Sequence, residues 1–538
     1  MRFAFRLVVA LVVTMGLLSG TAYAQFSDPG DRIFKMEKLF DSEDSFPLQT
    51  PQATHSDFAF WGNYAVLGYY TASTGGVEIF DISNPASPNM IRNFPCNGNQ
   101  NDPILWDRNG NGIPDLLLLA VDRTMESPEC GAARATNAAG ARFDAEPAGW
   151  EGVRVFTMSD DPANPFATIQ QVAAVYTDCG AHTITLWPEF AQDATNPRLL
   201  AYVSSYPLRP GPTCGVTQTT PAPFLNTANP YDGDPGSPNS GLHGVIQTVE
   251  VPLNNPAASH ELLAGQLPIS YPGDPDGKQD WTEKGIAGLE PAAIACHDIV
   301  VHVEHRLAGA ACAEQGQVWA IGPNGLPDTA HPISIGDDEV SSGGTGQFPG
   351  AIDFFHSVMF NNAGTVVNWV DESFGGGCPT MTTYQSRPWN PAGGTHKTGR
   401  MFFSDLEGNF LSEFQVGDLR PQGPDSYCSA HMGMAVMGVN RDLLVNAWYT
   451  GGVDVIDFSD PVNLKEIAYY KFDGTFGSDN WSAYPYTGPM FNGPGIPVYA
   501  SDGVEQPSTG RGTVVFSALL PKPGNSKLVD HLNPQTMD

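Results

Sequence analysis

Hydrophobic and polar positions alternate over short runs along most of the chain, and the runs come in groups. Gly76-Val-Glu-Ile-Phe-Asp81 and Gly452-Val-Asp-Val-Ile-Asp457 each carry apolar side chains at alternate positions, then enter Ser83-Asn-Pro85 or Ser459-Asp-Pro461. Period-two alternation predicts a strand with a covered face, and the Asp/Ser/Pro cluster predicts a turn. Upstream of each lies a matching strand pair, at 55–60 with 64–68 and at 431–436 with 443–447. Downstream lies a further strand, at 89–94 and at 464–470. The repeating unit is therefore four antiparallel strands, one propeller blade.

Weaker copies fill the space between. Segments 182–186, 199–203 and 244–251 predict one blade, 297–301 with 316–321 another, and 356–360, 365–370 and 399–405 a third. Segments 115–121 and 152–156 predict a blade entered by an atypical loop. The last blade has strands at 498–501 and 513–517 but lacks a fourth, which Ile33–Phe40 is placed to supply, closing the ring. The expected fold is an all-β, seven-bladed β-propeller over 53–520, after an N-terminal segment at 25–52 and before a polar tail at 521–538.

Composition explains why the copies are hard to see. Glycine (58) and proline (46) make up about a fifth of the chain, and many fall in insertions such as 207–241 and 373–398. Forty-one percent hydrophobic residues suffice for a packed core. Arg2 and Arg6 precede an apolar run, Leu7 to Leu18, and the small-residue site Ala22-Tyr23-Ala24. That pattern predicts a secretory signal over 1–24, cleaved before Gln25, and a secreted, periplasmic or cell-surface monomer with no membrane span afterwards. The net charge of −32 argues against nucleic acid or an anionic membrane as partner.

The signature Gly75-Gly-Val-Glu-Ile-Phe-Asp-Ile-Ser-Asn-Pro85, with its second copy at 451–461, resembles the LVIVD-repeat proteins. The resemblance covers residues 50–520 and is sharpest at those two copies. It implies the propeller fold and an exported location, and no reaction.

Three constellations could carry chemistry. Asp107, Asn109, Asn111, the Ile113 carbonyl and Asp115, with glycine at the sixth position, have the spacing of a calcium loop. A strand follows directly, as in the calcium loops of FG-GAP propeller repeats, which this segment is similar to. The alternative is an Asx/Gly turn without an ion.

The second is a set of histidines. His55, His182, His297, His356 and His431 all fall at the start of a blade's first strand, which lines the central channel. Converging imidazoles suit copper, iron or zinc, with Asp298, Glu304, Asp371 and Glu372 as supporting acids. The alternative is a scaffold role, each ring bonding the neighbouring blade's backbone. His302 and His305, flanking Glu304, are expected on opposite strand faces.

The third is the cysteines. All eight lie beyond the signal, and no CxxC pair occurs, which favours disulfides over a thiolate metal site. Blade geometry suggests Cys96–Cys130, Cys179–Cys214, Cys296–Cys312 and Cys378–Cys428, pinning loops on one face, although spacing leaves other connectivities open. Trp281, Trp389, Trp481, Tyr484 and Tyr486 could form a carbohydrate or peptide platform there, or cover loop cores. Two function classes follow: an exported binding or scaffold protein, contacting a protein or carbohydrate, and a metalloenzyme (oxidoreductase or hydrolase) with its metal in the channel. No nucleophile elbow, zincin motif, phosphate loop or dinucleotide fingerprint is present.

Overall fold

The structure is a computed structural model. It describes residues 32–42, 55–70, 75–126, 128–130, 150–177, 180–204, 245–265, 267–269, 296–312, 315–337, 352, 354–372, 399–416, 428–472, 478–488, 495–502, 512–520 and 529–538. The signal at 1–24, the insertions at 207–241 and 373–398, Trp281 and Trp389 lie outside these residues.

Seven antiparallel sheets form seven blades. Their innermost strands are His55–Trp61, Gln100–Trp106, Thr183–Trp187, Asp298–His302, Phe355–Phe360, Gly433–Ala435 and Asn480–Pro485, taken here as blades 1 to 7. Inner strands are covered on both sides: Gln100–Trp106, Phe355–Phe360 and Asn480–Pro485 are buried at every position. Outer strands such as Asn89–Pro95 alternate toward solvent. That gradient explains why the alternation is clearest away from the axis.

The repeat signature has a local cause. Asp81 Oδ1 accepts from Ser83 N, and Asn84 Oδ1 from Ala86 N; Asp457 Oδ1 accepts from Ser459 N, and Asp460 Oδ1 from Val462 N. These Asx turns link the third strand of each blade to the fourth. Gly76 (φ +133°) and Gly452 (φ +87°) begin the third strands, and a Cβ on either would strike a carbonyl of the adjacent outer strand.

The N-terminal segment divides in two. Arg32–Phe34 pairs with Lys465–Lys471 of blade 6, and Met36–Asp41 pairs with Gly512–Ala518 as the outer strand of blade 7. Lys35, at φ +47°, turns the chain between them, so the continuous strand expected over 33–40 is broken there. The tail differs more from its sequence description. His531–Leu532 pairs with the inner strand of blade 1, and Thr536–Met537 pairs in parallel with that of blade 4. Asn533 bonds Leu105 of blade 2 through both backbone groups, and Thr536 Oγ1 bonds Leu186 of blade 3. The tail thus crosses the channel end where the inner strands finish, burying Leu532, Asn533, Gln535 and Met537.

Disulfides Cys96–Cys130 and Cys296–Cys312 are formed, and no described cysteine is free. Cys179, Cys214 and Cys378, members of the other two expected pairs, lie outside the described residues. Among the described residues no helix is long and apolar enough to cross a membrane.

Around the axis, each inner strand is laced to the next. Ser56 Oγ donates to Gln100 O, Ile184 N to Asp102 Oδ2, and Thr185 Oγ1 to Ile299 O. His297 Nδ1 donates to His356 O, Ser357 Oγ to His431 O, His431 Nδ1 to Trp481 O, and Ser482 Oγ to Ser56 O. The circuit closes over all seven blades. This explains why buried inner strands keep polar side chains: each satisfies a main-chain group of its neighbour.

Candidate metal centre

The histidines enter the channel through a shared ladder position. His182 N, His297 N and His431 N donate to Ser204 O, Ala311 O and Ala447 O respectively, each near the end of its blade's second strand. Their rings form a row with that of His356: centroids are 4.3 Å apart for 182–297, 3.9 Å for 297–356 and 4.2 Å for 356–431. Trp481 of blade 7 continues it, 4.1 Å from His431. The row spans consecutive blades 3 to 7.

His55 stands apart from the other four. It packs on Tyr69 with centroids 4.9 Å apart, and its Nε2 lies 3.7 Å from Glu78 Oε2 of its own blade. The strand register shifts between His55 and Phe58, and His55 lies two residues before Asp57 where His297 lies one before Asp298.

The backbone-bonding role expected as the alternative holds for two of the five. A carbonyl can only accept, so His431 Nδ1, 2.6 Å from Trp481 O, carries its proton and Nε2 presents a lone pair. That nitrogen is buried without a hydrogen-bond partner. His297 Nδ1 donates likewise over 3.1 Å. His182 Nδ1 faces Asp122 Oδ2 of blade 2 at 2.9 Å, and Asp122 also accepts from Asn99. His356 Nδ1 is buried without a partner, and its Nε2 lies 3.9 Å from Glu372 Oε2.

Glu372 is oriented by Tyr449, whose hydroxyl donates to Oε1 over 2.7 Å. His356, Glu372 and His431 bring one ligand atom each within 4.8 Å of one another, the sole such trio among the described residues. Burial holds the His431 imidazole down at about 3, against the opposing Trp481 bond. Burial, with neighbouring imidazoles, drives His297 and His356 well below the usual histidine range. Neutral imidazole is the metal-binding form.

The other expected acids do different work. Asp371 accepts from Phe354 N and Gly399 N, which commits it to the backbone. Glu304 is exposed in the turn at 303–306, at the far end of its strand from His297. His302 and His305 are not on opposite faces; their rings meet at 4.5 Å because that turn ends the strand alternation. His302 Nε2 is engaged by Asn362 O.

Trp481, Tyr484 and Tyr486 are not loop residues open to a ligand. All three are buried, on or just after the inner strand of blade 7, and the tyrosine hydroxyls bond Asp57, Gly62 and Asp530.

The 107–115 loop is stapled by its own groups. Asp107 accepts from the amides of Asn109, Gly110 and Gly112, and Asn111 Oδ1 from Ile113 N. Arg108 clamps Asp115 at 2.9 Å. Asp160, a carboxylate absent from the spacing pattern, meets the side-chain amides of Asn109 and Asn111.

Sequence reasoning also missed the inner strands of blades 2 and 7, and with them Asp102 and the lacing circuit, as well as Asp122 on the second strand of blade 2. Blade 2 has no histidine at the common position, so nothing marked its first strand.

Residues 55–95 match the LVIVD repeat model, the segment that contains the first signature copy. A comparison with curated proteins finds no match. Among solved structures, a putative 6-phosphogluconolactonase from Bacteroides fragilis is 10% identical, covers 91% of this chain and 98% of that one, and gives a TM-score of 0.38. The Cps50 (Swd1) β-propeller domain of Myceliophteria thermophila is 9% identical, covers 86% and 99%, and gives 0.40. Likeness at this level adds nothing to what the strand pairing establishes about the site.

Proposed function

We propose that the protein is an exported propeller that binds a transition-metal ion at the histidine end of its channel, through His356, His431 and Glu372. The observation that supports this is the trio itself: two buried imidazoles and a carboxylate, with ligand atoms within 4.8 Å of one another. Ligands of one tetrahedral ion with bonds of ~2.1 Å stand about 3.4 Å apart, so small side-chain shifts suffice. Two histidines and one carboxylate suit zinc, copper or ferrous iron and leave coordination positions open.

The scaffold and metal readings are compatible at His431. Its bond to Trp481 O laces two blades and also fixes the tautomer that bares Nε2, as a metal's outer shell commonly does. Such an ion would supply Lewis-acid or redox chemistry.

The calcium reading of Asp107, Asn109, Asn111, Ile113 and Asp115 gains Asp160 as a further oxygen donor and loses Asp115 to Arg108. We carry it as a secondary structural proposal.

The test is elemental analysis of untagged protein, exported with its own signal and purified without chelators. Copper, iron or zinc near one per chain, abolished in a folded His356→Ala/His431→Ala variant, is expected. Absence of all three, or retention of the metal by that variant, sinks the proposal and leaves the histidines as scaffolding.

A further inference from the structure

A second set of buried ionisable groups lies on the inner strands of blades 1, 2 and 4, meeting the histidine row at His297-Asp298. Asp57 of blade 1, Asp102 of blade 2 and Asp298 of blade 4 are fully buried. Each has one oxygen held by protein. Asp57 Oδ1 accepts from Tyr484 OH at 2.7 Å, Asp102 Oδ2 from Ile184 N at 2.8 Å, and Asp298 Oδ1 from Thr183 Oγ1 at 3.3 Å. Each also has one oxygen with no hydrogen-bond partner: Asp57 Oδ2, Asp102 Oδ1 and Asp298 Oδ2. Asp102 and Asp298 are held by adjacent residues of blade 3, Ile184 and Thr183, and the three carboxylates repel one another electrostatically.

An independent observation comes from the opposite side of the chain. Gln535, in the tail that crosses the channel end, is fully buried, and its Nε2 reaches Tyr484 OH, the hydroxyl that holds Asp57. Its carbonyl oxygen, Oε1, is also buried without a partner. All four oxygens are buried without a hydrogen-bond partner, and among the described residues no basic side chain is bonded to any of these carboxylates. Buried acceptors of this kind require a proton donor or a cation.

We propose that Asp57, Asp102, Asp298 and Gln535 enclose a hydrated divalent cation, magnesium or calcium, at the centre of the channel. The oxygen-only donor set selects a hard ion over the transition metals that suit the histidine row. The three carboxylates do not form a trio within 4.8 Å, whereas His356, Glu372 and His431 do, so the ion keeps waters that bridge to the walls. Gln535 joins the tail to this set through Tyr484, the hydroxyl that holds Asp57. The ion therefore links tail docking to the blade circuit and exchanges slowly. This inference does not depend on the transition-metal reading.

The experiment measures magnesium and calcium in the full-length protein after exhaustive dialysis against EDTA, and again after unfolding in guanidinium with EDTA and refolding without metal. About one equivalent is expected to survive the first treatment and vanish after the second, with the melting temperature of refolded protein restored by added magnesium or calcium. Asp102→Asn/Asp298→Asn, isosteric and neutral, should fold yet retain under a tenth of that metal. Gln535→Met serves as the milder variant, retaining the fold and releasing the ion to EDTA. Asp107→Asn excludes the 107–115 loop as the source, and His356→Ala/His431→Ala excludes the histidine site. A native protein holding no hard cation, with a melting temperature indifferent to EDTA and both ions, overturns the proposal. Unchanged metal in the Asp102→Asn/Asp298→Asn variant overturns it as well.

Discussion

The histidine row occupies blades 3 to 6 and the aspartate layer the inner strands of blades 1, 2 and 4, and the two meet in blade 4 at His297-Asp298. Burial acts on both and removes charge from both, yet in opposite protonation senses. The imidazoles are pushed down and stay neutral by lacking a proton. The carboxylates are pushed up by burial, aided by mutual repulsion, with Asp298 reaching about 8. One layer offers nitrogen lone pairs, the other demands a positive partner. A single physical cause therefore supports the two proposed binding chemistries, nitrogen donors at one end of the channel and oxygen donors at its centre.

The comparison is broken most severely by removing the tail. Deleting Val529–Asp538 uncovers the aspartate layer and leaves the histidine row in place. Loss of buried Leu532 and Met537, at ~2–3 kcal/mol each, and of four hydrogen bonds, at ~1 kcal/mol each, sums to about 9 kcal/mol of stability. Guanidinium denaturation measures it; an unchanged midpoint means the tail is not part of the folded channel.

The pH dependence of metal-stripped protein tests the opposed shifts directly. Buried His431 titrates at about 3 against 6.5 for the ordinary side chain, so the unfolded chain binds its proton first and stability falls as pH drops below 6.5. Asp298 titrates at about 8 against 3.8, so its contribution is complete below 3.8 and is lost as pH rises toward 8. The two slopes offset each other between 3.8 and 6.5, leaving a net loss of about 2 kcal/mol from 6.5 to 8 at 1.36 kcal/mol per unit. Asp298→Asn should flatten that alkaline fall. Identical profiles for variant and parent would refute the burial account.

Within the histidine row, lacing and non-lacing members should separate. His297→Ala and His431→Ala each orphan a buried carbonyl and should cost about 1–2 kcal/mol more than His356→Ala. Urea midpoints of the three metal-free variants provide the ranking, and equal costs would remove the lacing role.

The smallest effect concerns the outlying loop. For a millimolar calcium site, 10 mM calcium would stabilise the protein by about 1.4 kcal/mol. Asp107→Ala should lose that increment together with ~1 kcal/mol of turn stapling. A calcium-independent melting temperature in the parent leaves the loop as an Asx turn.

Much of the architecture was legible in the chain. The two explicit copies give the blade because Asx turns and obligate glycines fix the same backbone in both, and local hydrogen bonding needs no distant partner. The five histidines were visible as a repeat position for the same reason. Their common fate was not: His55 packs on Tyr69 and faces Glu78 of its own blade, which no local pattern announces. Asp57 and Asp298 stood beside named histidines, and adjacency to that position was the available signal. Asp102 and Gln535 had none, since one begins a strand without a histidine and the other lies in a polar tail.

What the sequence determined by itself is the repeating unit, its antiparallel strands and turns, the charge balance and the exported context its N-terminus predicts. All of these depend on residues within one blade's length. What only the tertiary structure decided is which side chains meet across the axis: four histidines rather than five, Glu372 rather than Glu304, a tail that closes the channel, and two rather than one buried ionisable layers. Closing the ring turns residues 57, 102 and 298 of three blades toward the channel that the tail, with residue 535, crosses, and that placement depends on the summed twist and register of seven sheets.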